Sequence, residues 1–123
     1  VPVFRCYDPR GSNNRMSTLS LDCEGGSFWR REGVIGFAYA GQGSTPVDRI
    51  ALRRFYNAKI GDHFLATDER GEIALQHGYI SQGIMGYLPL DASATLPLYR
   101  FWSGSLQDHF YTTKPNEDPV LGP

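Results

Sequence analysis

Two stretches of the chain, GDHFLATD at 61–68 and QDHFYTTK at 107–114, share the pattern D-H-F-(L/Y)-(A/T)-T. A recurring block constrains a fold more than composition does. Each copy must adopt the same local structure and bury its apolar face against its neighbours. Three arginines anchor the comparison: Arg5 in VFRCYD, Arg54 in LRRFYN and Arg100 in LYRFWS. Counted without a gap, Asn13, Asp62 and Asp108 follow eight residues later, and then come Asn14, His63 and His109. A further block, REGVIGFAY at 31–39, matches SQGIMGYLP at 81–89, with Gly33 and Gly36 answering Gly83 and Gly86. Each unit thus reads as a strand, a loop, a D-H-F-x-x-T strand, a variable middle and a G-(V/I)-x-G-(F/Y) strand. The arginine anchors are 46 to 49 residues apart. In the third unit the last block would fall at roughly residue 133 by this spacing, past Pro123, and the sheet edge it leaves needs cover. A partner subunit is one candidate, so a homodimer is expected.

These blocks predict one domain over 1–123, with repeat units at 1–45, 50–92 and 96–123. The expected fold class is α+β and strand-rich. It comprises about eight short, mostly antiparallel strands and one to three short helices, built from two and a half repeats. HFLAT and HFYTT alternate apolar and polar residues, the pattern of a half-buried strand. A helix is expected over ERGEIALQHG, capped by Thr67 or Asp68 and stopped by Gly78, although Gly71 weakens it. Another is expected to start at TKPNED, capped by Thr113. GQGSTP at 41–46 and PLDASATLP at 89–97 read as linkers between units.

Composition removes several classes of function. The formal charge of −1 gives no electrostatic grip on nucleic acid or on an anionic membrane. The longest apolar run, VIGFAYA, is too short to span a bilayer, so no membrane insertion is expected. No signal peptide is visible, and the chain opens as a processed mature protein would. The two cysteines, Cys6 and Cys23, fit one disulfide in an oxidising compartment; the other reading is a pair of buried thiols. Neither they nor the scattered histidines have metal-site spacing, so no metal and no cofactor is expected.

The pattern RRFYNAKIGDHFLATDERGEIALQHGYISQGIMGY at 53–87 resembles, along its whole length, a tandem-repeat family of unassigned function found in secreted bacterial and fungal proteins, often appended to hydrolases. LYRFWSGSLQDHFYTT is similar to the first half of that unit, and VFRCYDPRGSNNRMST with EGVIGF is a degenerate copy. The resemblance implies an extracellular, secreted protein. A small free-standing version looks like a mushroom-type secreted lectin or defence protein.

Three functions compete on the residues. A hydrolase such as a small ribonuclease would use His63 or His109 as general acid or base, but equivalent repeat positions are expected to lie apart. Architecture alone would have the histidines bonded within their own units and Arg5, Arg54 and Arg100 paired with Asp62 and Asp108. Glycan binding needs an aromatic platform for the sugar ring and polar groups for its hydroxyls. Tyr56, Asp62, His63, Tyr87, Arg100, Trp102, Asp108, His109 and Tyr111 offer both, and repeated weak sites add avidity. The expected function is therefore a secreted, non-enzymatic lectin with no catalytic residues, recognising glycans or glycoproteins. A protein-binding effector or inhibitor is the third reading. On this reading Asn14, taken as the counterpart of the histidines, marks the first unit as the poorer binder.

Overall fold

The computed structural model describes residues 1–10, 14–42, 49–90 and 95–116. Asn13, the cores of both linkers and the residues from Glu117 onward fall outside them. Each arginine anchor sits in a strand that pairs antiparallel with the D-H-F-type strand after it. In the first unit β1 (Pro2–Tyr7) lies between β2 (Arg15–Thr18) and β3 (Arg30–Phe37). In the second, β4 (Arg49–Asn57) lies between β5 (Asp62–Ala66) and β6 (Ile80–Pro89). In the third, β7 (Tyr99–Ser103) pairs with β8 (Asp108–Thr112) alone among the described residues.

The class is mostly β, with three small antiparallel sheets, and the α+β expectation is wrong. Among the described residues the helical content is a 3-10 turn at Cys23–Gly25 and a short irregular 3-10 stretch at Gly71–His77. The regular helix expected over ERGEIALQHG does not form, because Gly71, Glu72 and Ile73 all have positive φ. A Cβ on Gly71 would stand about 3.0 Å from the Phe55 ring, so the chain must turn tightly there. Gly78, in the left-handed conformation, ends the stretch. At TKPNED, Thr113 to Asn116 form a bend and a turn, and the rest lies outside the described residues.

The strand register corrects the gapless alignment. Arg54 stands opposite Leu65 and Arg100 opposite Tyr111, but Arg5 stands opposite Ser17, one residue further on. The connection from Asp8 to Asn14 is one residue longer than those from Asn57 to Asp62 and from Ser103 to Asp108. Asn14 therefore answers Asp62 and Asp108, and Arg15 occupies the histidine position. Tyr7, Tyr56 and Trp102 face Arg15, His63 and His109 across their hairpins.

β2, β5 and β8 are buried almost throughout rather than half-buried. They pack against one another at the centre, so both faces of each strand meet protein. Below them Val3, Leu52 and Leu65 form the main core with Ile35, Ala38 and Tyr111. The pairing of β1 with β3 skips Ile35 and Glu32, and that of β4 with β6 skips Met85 and passes over Gln82. These bulges let Ile35 and Met85 join the core while Glu32 and Gln82 reach the arginines.

The disulfide Cys6–Cys23 is present, with Cα atoms 6.2 Å apart. Its place in the unit explains it. Cys6 answers Phe55, and Cys23 answers Gly71 by the corrected register. Where the second unit packs a phenyl ring on a glycine, the first joins two sulfurs, with Met16 and Trp29 around them.

Candidate functional site

Around the central strands the three units exchange polar contacts in a cycle. His109 donates its backbone N–H to Asp62 Oδ1 at 2.6 Å, and its Nδ1 lies 2.6 Å from Asp62 Oδ2. Arg15 donates its backbone N–H to Asp108 Oδ1 at 3.2 Å, with a guanidinium nitrogen 3.8 Å from Oδ2. His63 Nδ1 is 3.5 Å from Asn14 Oδ1. So the second unit holds the third, the third holds the first, and the first holds the second.

The arginine anchors repeat the cycle one step outward. Arg5 donates to the Tyr111 carbonyl (3.1 Å), Arg54 to that of Ser17 (2.8 Å) and Arg100 to that of Leu65 (3.3 Å). Their carboxylate partners are not Asp62 and Asp108, as the sequence suggested. Arg54 pairs with Glu24 and Arg100 with Glu72, each glutamate held at positive φ in the turn of the preceding unit. Those turns are fastened alike: Ser20 Oγ accepts the Glu24 N–H and Asp68 Oδ2 the Glu72 N–H. Arg5 pairs with Glu32 of its own unit.

This inward network sets the electrostatics. Asp62 is fully buried and also accepts a bond from the Tyr79 hydroxyl. Burial raises Asp108, and the facing Asp62 carboxylate raises it further. Burial, then the Arg54 cation, lowers His63 to about 4, so its ring is neutral at physiological pH. Tyr111 is buried, its hydroxyl accepting the Leu65 N–H at 2.8 Å.

Of the residues predicted to contact a ligand, Asp62, Asp108 and Tyr111 face the interior. Arg100 is engaged by Glu72, and Tyr87 bridges to Tyr39, at the opposite end of β4 from Tyr56. What remains toward solvent is aromatic. Trp102 is 48% exposed and its ring lies 4.6 Å from that of His109. Tyr56 lies 4.5 Å from His63 in the equivalent place, and Trp29 approaches the same imidazole edge-on at 6.0 Å. Tyr7 and Arg15 form the third such pair, 6.0 Å apart. Sequence reasoning missed Arg15, because the gapless count from Arg5 put Asn14 at the histidine position. The extra loop residue was the available signal.

The histidines are not bonded within their own units, as the architectural reading expected: His63 faces Asn14 of the first unit and His109 faces Asp62 of the second. Asp62 of one unit orients His109 of the next. An aspartate next to its own histidine cannot do this, since neighbouring residues on a strand point to opposite faces. Among the described residues no cluster of His, Cys, Asp and Glu has the arrangement of a metal site. No helix among them is long and apolar enough to cross a membrane.

A family model described as a domain of unknown function, DUF5648, matches residues 2–122. No curated protein and no solved structure matches the chain.

Proposed function

The chain belongs to the DUF5648 family, and from that premise we propose that it is a secreted, non-enzymatic carbohydrate-binding protein, a small lectin. The observation that carries this reading is Trp102, a large aromatic side chain 48% exposed beside an oriented imidazole. An indole face suits the apolar face of a sugar ring, and a neighbouring histidine suits its hydroxyls. Asp62 and Asp108 then act from inside, fixing His109 and Arg15 rather than touching the sugar. Tyr56 with His63, and Tyr7 with Arg15, supply two related platforms, so a multivalent glycan gains avidity. The test is tryptophan fluorescence titrated with a panel of oligosaccharides. Saturable quenching that disappears in Trp102→Ala supports the reading, and a flat response to every sugar overturns it.

One observation favours a second reading, a small hydrolase. A buried carboxylate orienting a histidine is the arrangement that prepares a general base, and Asp62 with His109 has it. His63 does not fit that role, being buried and hard to protonate. RNA hydrolysis by the pure protein that vanishes in His109→Ala would favour the enzyme. Hydrolysis unchanged in that variant would remove the histidine from it.

A further inference from the structure

The two complete sheets show what belongs beside β7. β3 flanks β1 and β6 flanks β4, but β7 has no such neighbour among the described residues. The missing contact is visible in three places. Glu32 accepts from Arg5 Nε and Gln82 from Arg54 Nε, while no described residue stands to Arg100 in that way. The Arg100 side chain is accordingly 38% exposed, against 11% and 10% for Arg5 and Arg54. The bridge that ties β6 to the segment after β3, Tyr87 to Tyr39, is made once among the described residues, with both backbone bonds at 2.9 Å. By the repeat, Phe37 answers Tyr87 and Pro89 answers Tyr39; Phe37 pairs with Pro2 of β1 and Pro89 with Arg49 of β4, but among the described residues neither has the equivalent of that bridge on its other side. Phe37 is 75% exposed. Between them lies an apolar cleft of about 560 Å³, lined by Val34, Ile35, Phe37, Leu88, Pro89 and Leu98 among others.

We propose that this cleft is the seat of a third strand of the same type. The occupant is an extended peptide segment from outside residues 1–123 with the pattern (Glu/Gln)-Gly-(Val/Ile)-x-Gly-(Phe/Tyr). It pairs with the edge of β7 that no described strand covers, as β3 and β6 pair with β1 and β4. Its Glu or Gln meets Arg100, its residue at x enters the cleft as Ile35 and Met85 enter the core, and its aromatic residue lies against Pro89. Strand addition at an open edge draws affinity from main-chain bonds and specificity from such pockets. The inference does not rest on sugar binding, although the first residue of such a strand would stand opposite Trp102, as Ile80 stands opposite Tyr56.

The test uses the full chain and a labelled peptide of residues 80–89, ISQGIMGYLP, followed by fluorescence anisotropy. Saturable binding is expected, with a scrambled peptide inactive. Replacing the peptide glutamine that corresponds to Gln82 with leucine should weaken binding by about tenfold, the scale of a lost bond to a charged group. Arg100→Met in the protein should weaken the native peptide similarly and the leucine peptide little further. The peptide substitution keeps the test valid even if the Arg100 variant folds poorly. No saturable binding, equal binding of the scrambled peptide, or indifference to the leucine change would overturn the proposal. So would a concentration-dependent dimer in light scattering that the peptide dissociates, which would assign the cleft to a second copy of the chain.

Discussion

Acid should weaken this fold through His63, by an amount that can be worked out. The ring is packed between Tyr56 and Trp29 and faces Asn14, with Arg54, Asp62 and Glu24 near enough to act on its charge. The folded protein lowers its pKa from 6.5 to about 4. The unfolded chain therefore takes up the proton first. Stability is whole above about pH 6.5 and is lost as pH falls towards 4. At about 1.4 kcal/mol per pH unit, the loss attributable to this one group reaches about 3 kcal/mol at pH 4. Asp108 works in the opposite sense: its raised pKa gives stability in acid that is lost as pH rises through the folded value. A comparison between two proteins that both keep Asp108 cancels that contribution. Urea unfolding of the wild type and His63→Gln should be run from pH 7 to pH 4. Glutamine cannot titrate and can still bond Asn14. The variant should gain on the wild type by about 3 kcal/mol across the range. A gap that stays constant within about 0.5 kcal/mol would refute the burial argument for His63.

Two further outcomes follow from the packing. Arg54→Met should cost about 3 kcal/mol and Arg100→Met about 1 kcal/mol in chemical denaturation, because Arg54 is buried among its partners and Arg100 is partly open to water. Equal costs would contradict the uneven closure of the three units. Reducing Cys6–Cys23, separated by 17 residues, should cost about 3 kcal/mol in urea unfolding with and without reductant, and an unchanged midpoint would show that the staple contributes nothing.

Much of this architecture is legible in the chain because repetition amplifies weak local signals. One D-H-F-x-x-T block says little, but two at matched distances from an arginine place strands β4, β5, β7 and β8. The glycine blocks place β3 and β6 in the same way. What misled was local. The consecutive Asn13 and Asn14, and a threonine at 18, allowed a gapless match that hid one extra loop residue, so Arg15 went unnoticed at the histidine position. The helix over ERGEIALQHG failed because a helical composition was overruled by Phe55, whose ring demands a glycine and a tight turn beside it. The half-buried strands proved buried because their outward faces meet the equivalent strands of the other units, and alternation within one segment cannot report that. The cyclic contacts were hidden for the same reason. Asp62 is adjacent in sequence to His63, yet it serves His109, 47 residues away.

The most direct trial of the central claim is a glycan array probed in parallel with the wild type, Trp102→Ala and Tyr56→Ala. The lectin account predicts a defined set of bound glycans for the wild type, lost or greatly weakened with Trp102→Ala and reduced with Tyr56→Ala. An array that stays blank for the wild type, or a pattern that survives both substitutions, would contradict it.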